Sequence, residues 1–259
     1  MDPHDRCRPQ EPTLNADPAS QLVLLDVQAH DSVIAQLTHR RTSLPELARI
    51  AELTAQESEL DGRRVEAATA VEDLERAQKK ADQEVEQVKA RRARDEERLA
   101  SGAIRNPKDL ESLQHELTAL QRRISTLEDE ELEVMEDLEQ AQATLIDVNA
   151  DLEALRTDLH QVEAARDAAV QAIDVELEAN RVERDQVVAG VPDDLLALYE
   201  KLRAQHGIGA AALRARRCEG CRLEINAADL RDIANRPADE VVRCPECSRI
   251  LVRTAESGL

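Results

Sequence analysis

From residue 21 to residue 189 apolar side chains recur at alternating steps of three and four, the period of helices that bury a narrow stripe. The second half of this span keeps the period best. Leu110, Leu113, Leu117, Leu120, Ile124, Leu127, Val134, Leu138, Leu145, Val148, Leu152, Leu155, Leu159, Val162 and Ile173 follow it, with Ala141 and Ala169 filling steps and only Glu131 and Arg166 polar. The first half is leakier. Its d positions run Leu53, Leu60, Ala67, Leu74, Ala81, Val88 and Asp95, and its a positions Ile50, Glu57, Arg64, Val71, Gln78, Val85, Arg92 and Leu99. A strict seven-residue repeat predicts a left-handed coiled coil.

Two breaks interrupt the pattern. Ser43-Leu44-Pro45-Glu46 reads as a helix restart, with the serine hydroxyl capping a free amide and proline in the first turn. A short helix, a kink and a long helix are expected. The second break predicts a hairpin tip at about residues 101–107, where Gly102 ends one helix and Asn106-Pro107 begins the next. Ile104, Arg105, Asn106, Pro107 and Lys108 are the candidate partner-binding residues of that tip. The arms are each about 80 residues long and can pair antiparallel, so one chain closes its own seam as a monomer or weak dimer. Pairing about the loop centre sets residue i near residue 207 − i, which brings Gln78 toward Glu131 as a register-fixing polar layer. Leu132, outside the seam, is a surface residue or a contact between two hairpins.

The rest of the chain divides accordingly. Residues 1–18 hold Pro3, Pro9, Pro12, Pro18 and Cys7 and show no apolar period, the pattern of a disordered tail. Residues 19–191 form the antiparallel hairpin. Residues 192–207 form a short connecting helix, with Asp193 and Asp194 in its first turn, Leu195, Leu196, Leu198, Tyr199 and Leu202 on its apolar face, and Gly207 at its end. Residues 208–255 make a separate C-terminal module.

Composition sharpens this outline. Among 259 residues there is no Phe and no Trp, and Tyr199 is the one aromatic, so a large globular core is excluded. Hydrophobic residues at 42% exclude wholesale disorder, and a charged fraction of 34% suits solvated helix faces. Tyr199 is expected to pack, anchoring the C-terminal module to the base of the hairpin. No apolar run suffices for a membrane span and the first residues lack a signal-peptide core, so a cytoplasmic protein without membrane contact is expected.

Four of the five cysteines, Cys218, Cys221, Cys244 and Cys247, form two C-x2-C pairs separated by 22 residues. Four soft thiolates at this spacing predict one tetrahedral Zn²⁺, and a full set of protein ligands makes it structural. An iron–sulfur site takes the same four ligands, and a thioredoxin-like redox pair would need a βαβ context that the pattern does not show. Val241-Val242-Arg243 and Ile250-Leu251-Val252-Arg253 predict a β-hairpin around the second pair, with a helical insertion at Asn226–Asn235 between the pairs. The predicted fold is mostly α: a long antiparallel coiled-coil hairpin followed by a small zinc ribbon with short β-hairpins. The six histidines show no metal-ligand spacing, and no phosphate-binding or nucleophile motif occurs, so neither an enzyme nor a small-molecule substrate is expected.

Charge distinguishes the module from the rod. Residues 203–255 carry ten arginines against seven acids, in a chain whose net charge is −20. Arg214, Arg216, Arg217, Arg222, Arg243 and Arg249 are therefore the candidate nucleic-acid or partner-binding residues. Without an aromatic residue in the module, base stacking is excluded, which leaves phosphate contacts or a protein-docking face.

With the hairpin, the turn Asn106-Pro107-Lys108-Asp109-Leu110-Glu111-Ser112-Leu113-Gln114-His115-Glu116-Leu117 and the ending Cys218-Glu219-Gly220-Cys221 … Cys244-Pro245-Glu246-Cys247-Ser248-Arg249-Ile250-Leu251-Val252 in view, the chain resembles a bacterial family. It is similar to the coiled-coil hairpin proteins with a C-terminal four-cysteine zinc ribbon, most like the actinobacterial branch, from about residue 20 to 255. The resemblance implies a monomeric or weakly associating scaffold whose ribbon contacts nucleic acid or the transcription machinery. Relatives in flagellated or secretion-bearing bacteria are associated with an alternative sigma factor, messenger RNA or an export apparatus. The functional expectation is a non-enzymatic adaptor whose rod docks protein partners. The alternative is a structural assembly factor or tether acting through the hairpin alone.

Overall fold

The computed structural model describes residues 14–259. Its elements are α1 (Pro18–Thr42), α2 (Pro45–Ala100), α3 (Pro107–Val188), α4 (Asp193–His206), β1 (Ala210–Arg214), β2 (Arg217–Cys218), α5 (Ala227–Asn235) and β3 (Ile250–Arg253). They fall into two compact units. One spans Pro45–Ala165, and the other joins the residues up to Leu44 with Arg166–Leu259.

The Pro45–Ala165 unit is the helical hairpin of α2 and the first part of α3. Its seam follows the heptad frame: Leu53, Val85, Leu113, Ile124, Leu127, Leu138, Val148 and Leu152 are buried. Ion pairs flank it, Lys89 Nζ to Glu128 at 2.8 Å, Arg156 Nε to Glu57 at 2.7 Å, and Arg91 to Glu116. Only Arg91 with Glu116 satisfies the expected pairing of i with 207 − i. Glu131 lies beside the carboxyl of Asp82, one helical turn beyond Gln78, so the polar neighbour the structure gives Glu131 is a second carboxyl. Long side chains reach diagonally across a seam, and a count from the loop centre does not capture that reach.

In the other unit α1 lies along the end of α3, burying Leu37, Leu44, Ile173 and Leu177 together. Ser43 ends α1 rather than starting α2, because its hydroxyl donates to the His39 carbonyl at 2.8 Å. A second core joins Leu24 and Val27 of α1, Leu195, Tyr199 and Leu202 of α4, and Ala210, Ile250 and Val252 of the sheet. A third lies within the ribbon, where Leu213, Ile225, Leu230, Ile233, Val242 and Leu251 pack on Cys218 and Cys244.

The sheet order is β2-β1-β3, with β1 antiparallel to β2 and parallel to β3. The parallel pair, with α5 in its connection, departs from the expected pattern of short hairpins without a βαβ context. Val241–Arg243 does face β3, through the Arg243–Ile250 bridge and a Leu251 N–H to Val242 carbonyl bond of 2.8 Å, but it forms no strand of its own. Asn226 caps α5, its side chain accepting from the Ala228 and Asp229 amides.

The expected tail needs correction at its inner end. Residues 1–13, Cys7 among them, lie outside the described residues. Leu14–Ala16, however, run beside the ribbon, with Ala16 N–H donating to Asp239 at 2.7 Å and Val241 N–H to Leu14 at 2.9 Å. Gln21 Nε2 adds bonds to the carbonyls of Ala16 and Asp239. Pro18 belongs to α1, where its missing N–H costs nothing at the first turn, and Asp17 caps that turn.

Candidate metal centre

Each C-x2-C pair occupies a tight turn. Arg222 N–H donates to the Cys218 carbonyl at 2.7 Å and Ser248 N–H to the Cys244 carbonyl at 2.9 Å. In both turns the residue after the second cysteine takes a left-handed backbone, with φ of 62° at Arg222 and 61° at Ser248. This repeated geometry aims two thiols per turn at one point. Gly220 leaves room in the first turn, since a Cβ there would lie 3.0 Å from Ala211 Cβ and 3.2 Å from Arg249 Cδ and would press on both.

The four Sγ atoms lie within 4.8 Å of one another, and the Cys218–Cys247 and Cys221–Cys244 pairs are each 3.9 Å apart. Ligands on a tetrahedral zinc with Zn–S bonds of about 2.3 Å sit about 3.8 Å apart, which the two 3.9 Å pairs match, so the set suits one Zn²⁺. Cys218 and Cys244 are buried and Cys221 and Cys247 half-buried. The Cys218 thiol is lowered to about 5, first by its hydrogen bond with Cys244, against burial and with help from the Cys221 and Gly220 amides. Cys244 is raised by that same neighbour and by burial. Zinc supplies the charge that lets all four thiolates coexist. Held there, it clamps the β2 end to the turn before β3 and leaves no coordination position for water, a structural role.

The structure separates the six candidate arginines. Arg249 donates to the carbonyls of Ile208 and His206, and Arg243 to that of Ser248, so both brace the ribbon's own backbone. Arg217 donates to the Arg222 carbonyl, 2.8 Å away. Arg214 pairs with Glu256 at 3.1 Å, yet both side chains are mostly exposed. Arg214, Arg216, Arg217 and Arg222 form an exposed basic cluster around the β1–β2 turn and the first knuckle. At the other unit's tip, Arg105, Asn106, Pro107 and Lys108 are exposed and Ile104 is half-buried, with Asn106 capping α3 through the Lys108 amide at 3.1 Å.

One polar cluster lies outside the sequence-based expectations. Asp31 of α1 is buried and holds Arg184 Nε at 2.7 Å, Arg203 at 3.3 Å and the Tyr199 hydroxyl at 2.6 Å, while Glu200 faces both arginines. Gln28 accepts from the Gly209 amide at 2.8 Å. Burial works to lower Arg184, but its bonds to Asp31 and Glu200 carry it above the ordinary arginine value. Burial and the Asp31 bond push Tyr199 up, so its hydroxyl stays a donor. The sequence carries a signal for this joint. Asp31 follows Leu24 and Val27 at an apolar step of the seam, and Asn180 and Arg184 follow Ile173 and Leu177 in the same way.

A helical hairpin ending in a four-cysteine zinc ribbon defines the class of protein, and comparison with known proteins agrees. Residues 27–207 match the CT398-like coiled coil hairpin domain and residues 217–251 the C4-type zinc ribbon domain. The chain is 38% identical over 240 residues to the Mycobacterium tuberculosis protein Rv2229c, covering 93% of this chain and 98% of that one. A solved structure from Mycobacterium smegmatis has a TM-score of 0.82 at 37% identity, over 93% of this chain and 100% of its own. CT398 from Chlamydia trachomatis shares the fold, with a TM-score of 0.67 at 19% identity over 91% of this chain and 98% of its own. The protein belongs to the CT398-like coiled-coil hairpin family, in a form shared with mycobacterial relatives.

Proposed function

We propose that the protein is a non-enzymatic cytoplasmic adaptor: its zinc ribbon contacts nucleic acid or the transcription machinery, and its hairpin docks a protein partner. The architecture is consistent with a structural or adaptor role, and no described helix is long and apolar enough to cross a membrane. The observation that carries the ribbon's part is the exposed cluster of Arg214, Arg216, Arg217 and Arg222 on a turn held by the metal knuckle. Phosphate contacts of this kind release counterions, so binding falls steeply with salt. The test is a titration of the zinc-loaded full-length protein with duplex DNA and RNA across salt concentrations. The Arg214→Glu/Arg216→Glu/Arg217→Glu variant should lose the interaction. Absence of binding at low salt would favour the second reading, an assembly factor acting through the hairpin without nucleic acid. The exposed Val65, Leu132 and Ile146 on the hairpin support that reading.

A further inference from the structure

The distal part of the hairpin reverses the charge of the chain. Residues 89–123 carry nine lysines and arginines against six acids, in a protein of net charge −20. Four of those cations are paired, Lys89 with Glu128, Arg91 with Glu116, Arg92 with Glu96 and Arg123 with Glu130. The other five, Arg94, Arg98, Arg105, Lys108 and Arg122, have no acidic partner within 4.0 Å among the described residues. Unpaired cations on a strongly acidic protein call for a partner of the opposite sign.

On this segment α2 and α3 border an open groove of about 820 Å³. Half-buried Val88 and Leu120 form its apolar floor, exposed Ala90 and Ala93 extend that lining, and exposed Arg94, without an acidic partner, stands beside Arg91 and Arg123, which are paired with Glu116 and Glu130. Arg98, one heptad beyond Arg91, continues the basic edge toward the tip. An apolar floor between cationic edges complements a helix with an apolar stripe and acidic flanks. A nucleic-acid backbone would use the rim but leave the floor without a partner, and the chain's one aromatic, Tyr199, is buried on α4. A second copy of this chain would offer acidic helix faces, but outside its own seam α3 exposes isolated apolar side chains such as Leu132 and Ile146, two heptads apart, rather than a continuous stripe.

We propose that the groove between residues 87–94 and 120–123 is the docking site for an acidic amphipathic helix of a partner protein. This rests on the reading of the hairpin as a protein-docking arm and specifies the chemistry of what it docks. The arginine rim supplies charge complementarity and orientation, and Val88 and Leu120 bury the partner's apolar side chains.

The probe is a fluorescein-labelled synthetic helix with leucines along one face and glutamates elsewhere, titrated against the zinc-loaded full-length protein. It should bind, and Arg94→Glu/Arg123→Glu should weaken it by about tenfold or more. Ala90→Glu, in the exposed apolar lining, should do the same, while far-UV circular dichroism of both variants stays unchanged. The ribbon variant Arg214→Glu/Arg216→Glu/Arg217→Glu should bind the peptide as the parent does. The proposal is overturned if the peptide does not bind or if the same helix with lysines replacing glutamates binds equally well. Preferential binding of an oligonucleotide, lost in Arg94→Glu/Arg123→Glu, would also overturn it. A photo-crosslinker at Val65, outside the groove, separates the two levels: peptide failure with capture of a host protein there leaves the docking arm standing, whereas failure of both removes it too.

Discussion

The hydroxyl of Tyr199 donates to Oδ2 of Asp31 at 2.6 Å, joining α4 to α1 across 168 residues of sequence. The ring is fully buried in the core that also holds Leu24, Ala210, Ile250 and Val252. Two contributions can therefore be separated by mutation. Tyr199→Phe keeps the packing and loses one hydrogen bond to a charged group, an expected cost of about 1.5–3 kcal/mol. Tyr199→Ala also opens a cavity and should cost about 3–5 kcal/mol. Urea denaturation of both variants measures the difference, and equal losses would show that packing contributes little.

Zinc removal should act unevenly on the molecule. Chelation, or Cys244→Ser, should release the ribbon core of Leu213, Ile225 and Leu251 while most of the far-UV helical signal remains, because the Pro45–Ala165 helices have their own seam. Zinc should be present at one ion per chain, and its affinity should fall with decreasing pH as protons compete for the thiolates. Metal analysis combined with amide hydrogen exchange checks both points.

The Asp82–Glu131 pair should make hairpin stability depend on pH. The hydrogen bond to Asp82, then burial, raises the Glu131 carboxyl above its ordinary value, with Lys89 opposing and Glu128 assisting. A folded state that holds this proton more tightly is favoured fully below the ordinary carboxylate range, and the contribution is lost as pH rises through the raised value. Thermal unfolding of Glu131→Gln across this window should show a flatter pH profile and a higher Tm at neutral pH. An unchanged profile would indicate that the pair carries no linkage.

Two glycines give opposite expectations. At Gly209 a Cβ would fall 2.6 Å from the Tyr199 carbonyl oxygen and 2.7 Å from its ring, so Gly209→Ala should destabilise by about 1–3 kcal/mol. Gly62 lies within α2 with open space around it, nothing falling within 4 Å of an added methyl, so Gly62→Ala should stabilise by about 0.5–1 kcal/mol. Denaturation midpoints of the pair provide an internally controlled test.

The heptad frame from Ile50 to Leu99 was legible in the sequence because a coiled-coil seam is a local rule: every a or d position faces the partner regardless of what else the chain does. The metal centre was legible for a similar reason, since four thiols at C-x2-C spacing leave few other arrangements. The helix at Ala227–Asn235 was legible only as room for a helical insertion in the 22-residue gap between the cysteine pairs. Less visible was the basic distal end, because net charge summed over the whole rod hides a reversal confined to residues 89–123.

Sequence by itself determined the hairpin, its turn and the zinc ribbon, since helix period, caps and ligand spacing act over short separations. Tertiary structure decided the parallel pairing of β1 with β3, the docking of Leu14–Ala16 on the ribbon, and the partners of Asp31 and Arg249. Those contacts join residues remote in the chain, and each depends on desolvation and hydrogen-bond geometry that exist only after the helices have packed.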